Sequence, residues 1–133
     1  MPETPTICCY CGCGCGLYLH IEGGRVVGVS PSRSHPVSRN NLCVKGWHAH
    51  EFIHSPDRLT MPLIRKRGHL QTASWRDALN LIAASFSRIR KQFGADSIGV
   101  LSSAKCSNEE NYLLQKFTRA VLGTNNIDHC ARL

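Results

Sequence analysis

Cys8-Cys9-Tyr10-Cys11-Gly12-Cys13-Gly14-Cys15-Gly16-Leu17 is the stretch on which the reading of this chain turns, because it places five of the eight cysteines within eight residues. A sixth, Cys43, stands apart in Asn41-Leu42-Cys43-Val44-Lys45-Gly46. Thiols this crowded cannot each meet a distant partner at the ~5.5–6 Å Cα separation of a disulfide. In a reducing compartment the same cysteines read as metal ligands. Cys8, Cys11, Cys15 and Cys43 give the spacing C-x2-C-x3-C-x27-C. Three ligands from one tight loop can cap three corners of a cubane, and a remote fourth closes it. Glycines 12, 14 and 16 let the backbone turn closely around sulfides. Cys9 and Cys13 are then surplus and expected to point away.

Two competitors share part of this pattern. Cys8-x2-Cys11 is an ordinary zinc half-site, but zinc ribbons supply a second close pair and Cys43 has no cysteine neighbour. A simple ferredoxin would space the run C-x2-C-x2-C. Here the second gap is three and Gly16 follows Cys15. Spacing by itself favours [4Fe–4S] without excluding zinc.

Outward from the loop, Leu17, Leu19 and Ile21 alternate with polar residues, and Gly23-Gly24 separates them from Arg25-Val26-Val27-Gly28-Val29. Alternation on both sides of a two-residue glycine turn predicts a β-hairpin, the floor beneath the loop. Residues 30–41, rich in Ser, Pro, Arg and Asn, carry the chain back to Cys43 as a loop. Lys45 is the charged group nearest to that cysteine in sequence, although an exposed lysine is the commoner reading. His48, His50 and His54 read as solvated imidazoles on a helix face and receive no role.

Pro56 and Pro62 bracket an extended connector, and a boundary near residue 60 divides the chain into domains 1–60 and 61–133. Ser74 with Asp77 opens a helix whose apolar residues Trp75, Ala78, Leu79, Ile82, Phe86, Ile89 and Phe93 recur at steps of three and four, with Gly94 as its stop. Ser97 to Leu101 reads as a buried strand, Ser107 with Glu110 as the cap of a helix to about Leu122, and Asn126-Ile127-Asp128 as a strand. The fold class is therefore α/β: a small hairpin-containing cluster domain, then the beginning of a parallel, doubly wound sheet. Ligands of such sheets sit in loops after strand ends, which directs attention to Ser102–Ser107. Cys106 and Cys130 read as small buried hydrophobes. The apolar helix faces and the incomplete sheet are expected to stay partly uncovered.

Composition narrows the classes further. Sixteen Lys and Arg against nine Asp and Glu give +7, which a [4Fe–4S]²⁺ core on four thiolates lowers to about +5. The basic residues are scattered, so a solvated surface is preferred to nucleic acid, with cofactor phosphates as a third possibility. No stretch approaches the ~20 apolar residues of a membrane span. Met1-Pro2-Glu3-Thr4-Pro5 lacks the features of a signal peptide, and a cytoplasmic address is expected.

The cysteine loop, Leu42-Cys43-Val44-Lys45-Gly46, Ser55-Pro56-Asp57-Arg58-Leu59-Thr60-Met61-Pro62, Asn108-Glu109-Glu110-Asn111-Tyr112 and Thr124-Asn125-Asn126-Ile127-Asp128-His129-Cys130-Ala131-Arg132 together resemble the N-terminal part of a formate dehydrogenase catalytic subunit, of the molybdopterin oxidoreductase superfamily. The resemblance implies a [4Fe–4S] cluster on Cys8, Cys11, Cys15 and Cys43, beside molybdenum or tungsten held by two molybdopterin guanine dinucleotides. It implies that Lys45 relays electrons between cluster and pterin, and that Lys105 and Cys130 approach the pterin. It further implies formate and CO2 as reactants, with an electron-carrier subunit or a ferredoxin-like protein as partner.

In that family a metal-ligating cysteine or selenocysteine and then a histidine follow the match to residues 130–133, so His129 is not the family's active-site histidine. The expectation drawn from this is an in-frame UGA as the next codon, with the 133-residue polypeptide inactive by itself. The rival class is a stand-alone iron–sulfur electron-transfer module.

Overall fold

The computed structural model describes residues 2–130. The end of the last motif, at 131–133, lies outside the described residues. The chain divides into two compact units. The first runs to Arg58 and takes in Ser102–Leu113 and the end of the last strand; the second holds Leu59–Leu101 and Leu114–Asp128.

The first unit is built on an antiparallel sheet of three strands, β1 (Glu3–Ile7), β2 (Gly16–Glu22) and β3 (Arg25–Pro31), in that spatial order. The hairpin expected around Gly23-Gly24 is β2–β3. Both glycines have positive φ, 55° and 76°, as a two-residue turn matching strand twist requires. Strand β1 went unread because Pro2 and Pro5 argue against a strand. It survives as an edge, where the missing Pro5 N–H breaks no internal ladder. The cysteine loop joins β1 to β2 and lies over the sheet. Leu17, only 1% exposed, packs in one core with Cys8 and Ala49, and Tyr10, Cys15, Leu19, Val29 and Leu42 lean on it. A short helix, α1 (Val44–Trp47), starts directly at Cys43, whose carbonyl accepts from the Trp47 N–H at 3.1 Å.

The second unit opens with a hairpin that the sequence reading missed, β4 (Leu63–Lys66) and β5 (His69–Thr72), turning on Arg67 and Gly68 with φ of 52° and 85°. Its residues are almost all exposed. Arg65-Lys66-Arg67 therefore shows no alternation of apolar and polar residues to betray a strand.

Helix α2 (Trp75–Phe93) has the expected capping box: Asp77 N–H donates to Ser74 Oγ at 3.1 Å, and Ser74 Oγ–H donates to Asp77 Oδ2 at 2.7 Å. Replacing Ser74 by alanine is expected to cost about 1 kcal/mol, read as a lowered urea midpoint at unchanged slope. Among the described residues of α2 only Ala78 is buried, while Trp75, Leu79 and Phe93 are each more than half exposed. Uncovered helix faces were expected, and α2 has one.

The strand expected at 97–101 starts later. Ala95–Ser97 forms a 3₁₀ turn, and β6 runs Val100–Ser103. Helix α3 (Asn108–Phe117) carries the second capping box, with Glu110 N–H to Ser107 Oγ at 3.2 Å and Ser107 N–H to Glu110 Oε2 at 2.7 Å. It then widens into a π-helical turn, Thr118–Leu122, before left-handed Gly123. The final strand is β7 (Ile127–Cys130). Val100 N–H donates to Asn126 C=O at 2.8 Å and Ala104 N–H to Cys130 C=O at 3.2 Å, so the bonds advance along both strands in one direction. The β6–α3–β7 order with parallel pairing is the α/β arrangement expected.

Candidate metal centre

The loop from Cys8 to Cys15 is closed at its base by Cys8 N–H donating to Cys15 C=O at 2.8 Å, and tightened within by Gly14 N–H to Cys11 C=O at 3.4 Å. Cys8 is buried, Cys11 and Cys15 are half-buried, and Cys43 is exposed. The Cys8 thiol is pushed up by burial, partly relieved by the Tyr10 N–H, and raised further by the neighbouring charges of Cys9, Cys11 and Cys43. Cys15 is pushed up to about 11, by burial first and then by the adjacent Cys13. Cys43 moves the other way: the Gly46 N–H, the Lys45 N–H and the Lys45 charge all favour its thiolate. Burial therefore dominates the shifts of Cys8 and Cys15, with neighbouring thiols adding to it, and backbone N–H groups dominate that of Cys43.

These thiols lie within electrostatic reach of one another. Cys8 feels Cys11 and Cys43, and Cys15 feels Cys8 and Cys11. Yet among the described residues no three His, Cys, Asp or Glu side chains close around one ion. Soft thiolates spread around a common neighbourhood suit iron–sulfur chemistry. Room is also controlled: a Cβ at Gly12 would run into Asn108, and one at Gly16 into the His35 ring. Gly16 N–H is held by the buried Ser38 Oγ at 3.2 Å, with Ser38 against His35 Nδ1 at 3.4 Å.

The surplus cysteines differ from each other. Both Cys9 and Cys13 are exposed, but Cys13 Sγ lies 3.4 Å from Cys15 Sγ, so it does not point away from the ligand loop as expected. The metal-free thiols are expected to differ in alkylation. A lowered pKa gives more thiolate at a given pH, so at pH 8 Cys43 reacts with iodoacetamide first. Cys15, pushed up to about 11, reacts later than Cys43. Timed peptide mapping by mass spectrometry checks this order.

Lys45 lies in α1 and lines a cleft of about 370 Å³ with Tyr10, Val44, His48, Glu51 and Phe52. Tyr10 meets Phe52 edge-on at 6.2 Å, and the Arg58 guanidinium sits 4.7 Å over the Phe52 ring. The histidines do not share one helix face, although His48 and His54 are exposed as expected. His48 Nδ1 is 2.5 Å from Glu51 Oε1 and holds that carboxyl below its usual range, while His54 Nε2 accepts from Val26 N–H at 2.9 Å. His50 is half-buried, and its Nδ1 is buried without a hydrogen bond. The sequence offered spacing for these three and no partners, and the partners are what fix them.

Lys105 and Cys130 are brought into one neighbourhood. Lys105 N–H donates to Ser103 Oγ at 3.0 Å, beside the Ala104–Cys130 backbone bond. Cys106 is half-buried and Cys130 exposed, so neither is the buried hydrophobe expected: Cys106 lies in the turn between β6 and α3, and Cys130 is the last residue of β7. Asn108, to which sequence reasoning gave no role, reaches the cysteine loop: its Nδ2 donates to Gly12 C=O at 2.8 Å.

A five-cysteine loop on a small antiparallel sheet, with a sixth cysteine at the start of α1 and a parallel β–α–β segment, has the donor set of an iron–sulfur protein with an α/β region. Residues 1–55 match the molybdopterin oxidoreductase Fe4S4 domain and residues 58–133 match the molybdopterin oxidoreductase model. The chain belongs to the molybdopterin oxidoreductase family.

It is 50% identical over 128 residues to the F420-dependent formate dehydrogenase 1 subunit alpha of Methanococcus maripaludis, covering 96% of this chain and 18% of that one. The corresponding subunit of Methanocaldococcus jannaschii is 52% identical with the same coverage, and a probable oxidoreductase of Bacillus subtilis is 44% identical over 98% of the chain and 13% of its own length. Acetylene hydratase from Pelobacter acetylenicus superposes with a TM-score of 0.71 at 27% identity, over 95% of this chain and 18% of that one. The chain thus spans about a fifth or less of the length of the relatives it matches. No helix among the described residues is long and apolar enough to cross a membrane.

Proposed function

We propose that this chain is the N-terminal part of a formate dehydrogenase catalytic subunit, in which Cys8, Cys11, Cys15 and Cys43 hold a [4Fe–4S] cluster. The observation that carries the reading is the identity of 50–52% to named formate dehydrogenase alpha subunits over 96% of the chain. The fold cannot carry it, because a hydratase shares the same architecture.

When bound, the metal–pterin centre supplies two-electron acceptance from formate, HCOO⁻ → CO2 + H⁺ + 2e⁻, and the cluster supplies one-electron relay. The chain's own residues prepare for this. Four thiolates bring a net negative charge to the loop, and the Lys45 cation, two residues beyond Cys43, offsets part of it and serves as the relay position between cluster and pterin. Lys105 and Cys130, neighbours at the end of β6 and β7, are the positions offered to the pterin. Domains 1–60 and 61–133, a cytoplasmic location, and an electron-carrier subunit or ferredoxin-like acceptor belong to the same reading.

The test is anaerobic isolation of the complete open reading frame, followed by metal and pterin analysis and a formate-dependent dye-reduction assay. Iron, sulfide, molybdenum or tungsten, and formate oxidation are expected together. Iron and sulfide without pterin or formate oxidation would instead establish a stand-alone electron-transfer module.

A further inference from the structure

We propose that Asn108 is a positioning residue for the iron–sulfur cluster, its side-chain amide clasping the ligand loop at Gly12. The inference rests on the reading that Cys8, Cys11, Cys15 and Cys43 hold that cluster. Gly12 lies midway between Cys11 and Cys13, at the outermost part of the loop. The two backbone bonds within the loop, Cys8 to Cys15 and Gly14 to Cys11, leave the Gly12 carbonyl unengaged. Asn108 Nδ2 takes that carbonyl at 2.8 Å from a position 96 residues away in sequence. The contact is close on both sides of the bond, since even a methyl group at Gly12 would run into Asn108 Oδ1.

The donor is itself held. Asn108 is the first residue of α3, immediately after Ser107, which shares its capping box with Glu110. One turn on, Asn111 Nδ2 donates to Ser107 C=O at 3.1 Å and Ser103 C=O at 3.3 Å, pinning the same helix end. The amide is therefore presented on a fixed base. With Ser38 holding Gly16 N–H, the ligand loop is gripped at its middle and at its C-terminal base by residues outside it. A loop held this way keeps its three cysteines pre-placed, and loss of one grip lets them separate when iron is challenged.

The choice of variant follows from the helix. Asn108→Asp keeps size and suits the first turn of α3, where an acidic residue is favourable. It replaces the N–H donor by an oxygen that repels the Gly12 carbonyl and adds negative charge beside the loop. In the anaerobically isolated protein, Asn108→Asp is expected to retain its iron, release it to a chelator about fivefold faster, as loss of one hydrogen bond implies, and lower the cluster's midpoint potential in a redox titration followed by electron paramagnetic resonance.

Gly12→Ala should speed release similarly by displacing Asn108. In an Asn108→Ala background, where the side chain is gone, the same substitution should add little. Parental release rates and potential in iron-replete Asn108→Asp, or additive effects of Gly12→Ala and Asn108→Ala, overturn the proposal. An iron-free parent protein refutes the assignment of the cysteines instead, and so is told apart from it.

Discussion

Replacing Cys11 by serine is expected to leave the protein without its cluster, with iron falling from about four per chain toward none. Serine keeps the size of the side chain and removes the soft, readily ionised donor that iron prefers. Cys11 is half-buried and outside the Leu17 core, so the sheet should still form. Loss of iron would then report ligation and not unfolding. Cys9→Ser is the internal control: Cys9 is exposed, and the variant should keep its iron. Iron and sulfide analysis with the visible absorption of the cluster measures both. A Cys11→Ser protein that keeps a full complement of iron would remove Cys11 from the ligand set and leave Cys13 as the replacement to test.

Leu17→Ala is the second large effect. Leu17 is 1% exposed, sits on the central strand opposite Thr6 and Pro31, and anchors the core shared with Cys8 and Cys15. A buried leucine truncated in place costs about 3 kcal/mol, on the order of a hundredfold in the folding equilibrium. Few other side chains of this unit are buried, so little is available to compensate. On the proposed reading the core includes two cluster ligands, Cys8 and Cys15, so the bound cluster adds its binding free energy to the folded state, and a substitution that loosens the site reduces that addition. Urea titration is therefore expected to show at least as large a drop in midpoint for the iron-loaded variant as for the metal-free one. A smaller drop in the iron-loaded state would count against that coupling.

These effects differ in how readable they were. The Gly23-Gly24 turn and both capping boxes were legible because their chemistry is local: each acts over a few residues. The closeness of Lys45 to Cys43 was legible for the same reason. Strand β1 was hidden by Pro5, which an edge tolerates, and β4–β5 by the absence of a buried face to impose alternation. The π-helical turn at Thr118–Leu122 left no periodic mark distinct from an ordinary helix. The partners of His48 and His54, the Cys13–Cys15 contact and the Asn108 clasp depend on tertiary placement. In the last case 96 residues separate the two groups, and no spacing rule reaches that far.

The first unit's composition also has a consequence in time. All four cysteines proposed as ligands are synthesised by residue 43, whereas Asn108 follows 65 residues later, roughly 3–13 s at about 5–20 residues per second. During that interval the nascent chain carries all four thiols while the Asn108 side chain that meets Gly12 does not yet exist. The order of synthesis thus places the thiols first and the contact between Gly12 and α3 last.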